Sequence, residues 1–132
     1  QWQAAEGATA TSRLPIKLVT AAVVPTQRQI LHQRIHERFE AMLQAGFLAE
    51  VEKLMQRGDL HPDLPALRAV GYRQAWQFLR GDCAHAEFVA AALAATRQLA
   101  KRQLTWLRGW SNIDLQSAAA PAQIAAQLKQ LL

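Results

Sequence analysis

The segment RQLAKRQLTWLRGW, Arg97 to Trp110, carries the densest set of side chains able to do chemistry. Arg97, Lys101 and Arg108 are spaced by four and seven residues, so on an α-helix they project within about 40° of one another. Arg102 and Gln103 widen that polar surface, and Thr105 adds a hydroxyl. From Phe88 to Trp110 there is no acidic residue at all. A basic stripe of this kind can bind a phosphate backbone through charge and counterion release. The competing reading is a solvated helix face with no ligand, and the missing acids argue against it. Trp106 and Trp110 lie toward the apolar side of the stripe and are expected in a core rather than as platforms for bases.

Two further places hold functional side chains. In LRAVGYRQ, Leu67 to Gln74, Gly71 separates two short helical pieces, where the backbone bends or something approaches closely. Arg68, Tyr72, Arg73 and Gln74 gather donors and one ring at that junction, a set suited to splayed-out RNA bases; a plain helix hinge is the alternative. Arg38 falls among Leu31, Ile35, Met42 and Ala45 on the helical wheel. A guanidinium on such a face must snorkel, pair with a carboxylate or bind an anion, because an unpaired buried charge is costly. Its planar fork matches phosphate or diphosphate oxygens.

Other candidates carry less. His32 and His36 have the spacing of two metal ligands on one helix, but no third ligand stands near them. Cys83 has no catalytic partner in sequence. The sequence holds no phosphate-binding G-x-x-x-x-G-K-[ST] loop, no G-x-G-x-x-G and no C-x-x-C.

The elements that must position these residues are mostly helices. Thr26 is a suitable N-cap for a helix whose inner face carries Leu31, Ile35, Phe39 and Met42, stopped by Gly46. A second helix carries Phe47, Leu48, Val51, Leu54 and Met55 and ends at Gly58. Leu64 to Ala69 predicts a short helical turn opening at Pro65. Tyr72 to Leu79 predicts a helix stopped by Gly81, and His85 to Arg108 a long one. Pro121 opens a terminal amphipathic helix with Ile124, Leu128 and Leu131. Before all of these, residues 1–15 read as a loop, and Ile16 to Val24, bounded by Pro15 and Pro25, as a strand buried on both faces. Only Ile113 to Leu115 could pair with it, and that stretch is very short. A buried strand without neighbours leaves backbone groups unpaired, so its sheet is expected from residues outside this sequence. The fold class is therefore a mainly α-helical piece with one N-terminal β-strand, organised as a linker (1–15), a main part (16–116), and a spacer with terminal helix (117–132).

Composition agrees. The 132 residues are 51% hydrophobic and 19% charged, as in a globular chain long enough to bury a core. Fifteen Lys and Arg against ten Asp and Glu give a net charge of +5, which favours a polyanionic partner. No apolar run approaches the roughly 18–20 residues of a membrane span. The start at Gln1 shows neither a basic lead nor a signal-type apolar segment, and a lone Cys83 agrees with a reducing, cytoplasmic setting.

Taken in order, HQRIHERFEAML (His32 to Leu43), GFLAEVEKL (Gly46 to Leu54), LRAVGYRQ followed by Trp76, and ATRQLAKRQLTWLRGW (Ala95 to Trp110) resemble the bacterial tRNA dimethylallyltransferases, also called tRNA isopentenyltransferases. The resemblance covers about residues 16 to 115, and its last two motifs are the specific ones. It implies transfer of a dimethylallyl group from dimethylallyl diphosphate to the exocyclic amine of the adenosine 3′ of the tRNA anticodon. It implies an α/β core like that of P-loop kinases, whose phosphate loop, catalytic Asp and Mg²⁺ ligands precede the part seen here, so no catalytic residue is expected within it. Arg38 matches an arginine that holds the diphosphate. Arg68, Gly71, Tyr72 and Arg73 match one tRNA-contacting stretch, joined by Gln74 of the donor cluster; Lys101, Arg102, Gln103, Thr105, Trp106 and Arg108 match a second, joined by Arg97 of the basic stripe. The expected partners are the tRNA anticodon stem-loop and dimethylallyl diphosphate, with no membrane, and a monomeric enzyme when intact. A freestanding helical nucleic-acid-binding module and a helical adaptor with a merely solubilising basic face are the alternatives.

Overall fold

A computed structural model of the chain describes residues 21–110 and 114–117, with Ala126 and Lys129 as isolated helical positions. The loop read over 1–15, the first part of the strand from Ile16, and most of the terminal helix from Pro121 lie outside the described residues.

The elements run β1 (Ala21–Val24), α1 (Arg28–Gln44), α2 (Phe47–Met55), α3 (Tyr72–Leu79), α4 (His85–Arg108) and β2 (Asp114–Ser117). The chain is mainly helical, as its periodicity predicts. In α1 the stripe of Leu31, Ile35, Phe39 and Met42 turns inward, with Phe39 buried and the others half-buried. The helix starts one residue later than expected: Gln27, not Thr26, is the N-cap, and its side chain makes no capping bond. Gly46 takes φ +94, and its N–H and that of Ala45 donate to Leu43 and Ala41 carbonyls. That left-handed turn closes α1 and opens α2. Phe47 and Val51, one turn apart, bury the inner face of α2.

Residues 61–70 form turns in which the Arg68 N–H donates to the Leu64 carbonyl over 3.1 Å, a single helical turn where one is expected. α3 and α4 keep their predicted bounds. At the start of α4 the Glu87 carboxylate accepts a hydrogen bond from the Ala84 N–H at 2.9 Å, satisfying a donor that the helix itself leaves unpaired.

One core joins the four helices: Phe39, Phe47, Val51, Leu67, Ala75, Trp76, Phe88, Ala92 and Leu93. Phe88 lies at its centre, edge-on to Phe39 at 5.7 Å and stacked on Phe78 at 5.2 Å between ring centroids. Such offset and edge contacts add to the energy of area burial. All the buried residues of α4 belong to its first half. The second half, from Arg97 onward, contains none and projects past the core.

β1 pairs with β2 in parallel, Ala21 opposite Asp114 and Val24 opposite Ser117. The strand expected to lack partners in this chain therefore has one, and the second strand falls partly on the short stretch from Ile113 to Leu115. The whole helical set forms the crossover between the two strands, since parallel neighbours cannot be joined by a tight turn. Val23 stays 56% exposed, so β1 is not buried on both faces here.

Candidate nucleic-acid interface

The second half of α4 places Arg97, Lys101, Arg102, Gln103 and Arg108 in solvent. Among the described residues the ion pairs join His36 to Glu40, Arg57 to Asp59 and Arg80 to Asp82. None uses a cation of α4, so the charge there is not neutralised within the described residues. Thr105 is exposed as well, but its hydroxyl donates to the Lys101 carbonyl at 3.0 Å and is partly spent on the helix.

The two tryptophans depart from expectation. Trp106 is 64% and Trp110 49% exposed, with ring centroids 4.7 Å apart. Neither is in the core. The core ends before α4 does, so a residue can lie on the apolar side of the wheel and still meet water. Trp106 shares a shallow depression with Gln98, Lys101, Arg102 and Thr105. A large ring beside two cations is an arrangement that can stack a base and hold its phosphate.

On the adjoining side of α4 runs an open groove of about 520 Å³. Its far wall is the end of β1 and the first turn of α1. Arg97, Lys101 and Arg108 line it from α4, and Arg28 from α1; among the described residues no carboxylate lines it. Sequence reasoning did not nominate Arg28. The other cations of the groove are remote from it in sequence, and nothing in the local pattern TQRQ sets it apart.

The α2–α3 junction sorts the LRAVGYRQ residues into two kinds. Arg68 and Arg73 are exposed and free to meet a ligand. Gly71 is buried at φ +96, and its N–H donates to the Gln74 side-chain oxygen at 2.9 Å. Gln74 is only 5% exposed. Folding turns its side chain back onto the start of its own helix, where it acts as a cap. Tyr72 is half-buried, edge-on to Phe47 at 5.3 Å, and its hydroxyl donates to the Glu50 carboxylate. That hydrogen bond, with partial burial, raises the phenol pKa above its ordinary value.

Arg38 is exposed, and so is Ala45. The inner face of α1 turns toward Phe39 instead, which leaves Arg38 at its margin and removes the argument from a buried charge. Among the described residues no carboxylate pairs with it. The described residues hold no group of three or more His, Cys, Asp or Glu that could take a metal ion. His32 accepts a long hydrogen bond from Arg28 at 3.4 Å. No described helix is long and apolar enough to cross a membrane.

A helical set fills the crossover between two parallel strands, and the basic end of α4 stands exposed beyond its core. The chain belongs to the IPP transferase family, whose model matches residues 1–110. The match takes in the first fifteen residues, wider at that end than the motifs alone implied. The full-length tRNA isopentenylpyrophosphate transferase of Bacillus halodurans superposes with a TM-score of 0.79 at 26% identity, over 91% of this chain and 39% of that one. The tRNA delta(2)-isopentenylpyrophosphate transferase of Staphylococcus epidermidis shares the fold, with a TM-score of 0.74 at 24% identity over 86% of this chain and 38% of its own. The chain thus spans about two-fifths of the length of these solved relatives.

Proposed function

We propose that this chain is the RNA-holding part of a tRNA dimethylallyltransferase. In that reaction the carbon–oxygen bond of dimethylallyl diphosphate breaks, a bond forms to the N6 amine of the adenosine 3′ of the anticodon, the amine gives up a proton and diphosphate leaves. The observation that carries the reading is the unneutralised cation set on the projecting half of α4, in a chain of this family. Lys101, Arg102 and Arg108 hold phosphates of the anticodon stem, and Gln103 and Thr105 add hydrogen bonds. Arg68 and Arg73 meet the loop from the α2–α3 junction. Taking the target base out of its stack costs a few kcal/mol, which binding along the stem offsets.

Arg38, exposed and unpaired among the described residues, is assigned to the leaving diphosphate, where a fixed guanidinium favours charge that develops as the bond breaks. The family resemblance puts the phosphate loop, the catalytic base and the Mg²⁺ ligands ahead of the part of the enzyme seen in this chain. The 132-residue chain by itself is therefore expected to bind RNA without prenylating it; product on a stem-loop incubated with the purified chain and dimethylallyl diphosphate would overturn that assignment.

The test of the binding role is affinity for an anticodon stem-loop as a function of salt. Changing Lys101 and Arg102 together to Ala should weaken binding and lower the salt slope by about one unit for each phosphate no longer held. Unchanged affinity in a folded double variant would remove α4 from the interface. A freestanding module reading a duplex groove would instead bind double-stranded nucleic acid without preference for the stem-loop.

A further inference from the structure

We propose that the RNA path does not end on α4 but crosses the groove onto the first turn of α1, where Arg28 holds one phosphate of the backbone. The inference rests on the tRNA-binding reading above and extends it to a residue outside both stretches assigned to tRNA.

Three observations carry it. Arg28 lines the same groove, of about 520 Å³, as Arg97, Lys101 and Arg108, so the groove carries basic residues on both walls. Among the described residues no carboxylate lines that space and none pairs with Arg28. Four basic residues lining one open groove favour an anion as its occupant. Third, Arg28 Nε donates to His32 Nε2 at 3.4 Å. The imidazole takes the inner edge of the guanidinium and leaves the terminal nitrogens for a ligand. An RNA strand carries phosphates at regular intervals, so a groove with cations on both walls suits a backbone passing between them.

The experiment compares the chain with Arg28→Gln and Arg34→Gln in stem-loop binding between roughly 50 and 200 mM salt. Both residues are exposed on α1, and both changes remove one positive charge, but Arg34 does not line the groove. Arg28→Gln should lower the salt slope by about one unit, which makes the loss of affinity over that range roughly fourfold smaller. Arg34→Gln should leave the slope where it was. Equal slopes for the two variants would overturn the proposal. Failure of the unaltered chain to bind the stem-loop would bring down the tRNA reading itself, whereas normal binding with a silent Arg28→Gln brings down this inference alone.

Discussion

The Tyr72 hydroxyl donates a hydrogen bond to the Glu50 carboxylate, tying the first residue of α3 to the middle of α2 across a gap of 22 positions. Phe47, on the same helix as Glu50, meets the Tyr72 ring edge-on and lies against Gly71, where an added Cβ would stand 3.6 Å from its ring. The junction that carries Arg68 and Arg73 is therefore braced from α2, and the brace is testable apart from RNA.

Tyr72 is the chain's single tyrosine, so phenolate absorbance reports on it alone. Its folded pKa is raised, chiefly by the bond to Glu50 and next by burial. A raised folded pKa means that the bond contributes its full stability below the ordinary tyrosine value near 10 and loses it as pH climbs through the folded value. The titration midpoint should lie above 10 in the native chain and fall toward 10 in Glu50→Ala. A midpoint indifferent to Glu50 would show the bond to be absent in solution.

Gln74 separates capping from recognition. Gln74→Leu leaves the buried Gly71 N–H without a partner, which should cost about 1–3 kcal/mol in urea unfolding. Under conditions where the variant is folded, its affinity for a stem-loop should match that of the unaltered chain. Lost affinity with unchanged stability would restore Gln74 to the interface. Gly71→Ala should also destabilise, by about 1–2 kcal/mol, because φ +96 is strained for any residue with a side chain; no clash accompanies it, since the Phe47 contact is of ordinary length.

Trp106 offers the opposite signature. A side chain 64% exposed contributes little to the fold, so Trp106→Ala should change stability by no more than about 0.5 kcal/mol. If its ring stacks a base, affinity for the stem-loop should drop by about 1–3 kcal/mol. A thermal melt beside a binding isotherm distinguishes the two readings, and a large loss of stability would return Trp106 to a core role.

Local sequence determined most of the secondary structure. The bounds of α3 and α4 follow from apolar spacing set against Gly71, Gly81 and the end of the basic run, and Gly46, Gly58 and Gly81 all adopt the left-handed turns that stop helices. The basic stripe of α4 was legible for the same reason: positions four and seven apart share a face whatever lies around them. Tertiary structure decided which faces are covered. A helical wheel places Arg38 and Trp106 among apolar neighbours, yet the core reaches neither, because burial depends on how far the neighbouring helices extend. Gln74 looked like a free donor and became a cap, since its short reach back to Gly71 exists only once α3 has formed. The pairing of β1 with β2 and the meeting of Arg28 with the cations of α4 join residues from opposite ends of the described chain. No local pattern encodes such contacts; they arise when the helical crossover folds and brings its two ends together.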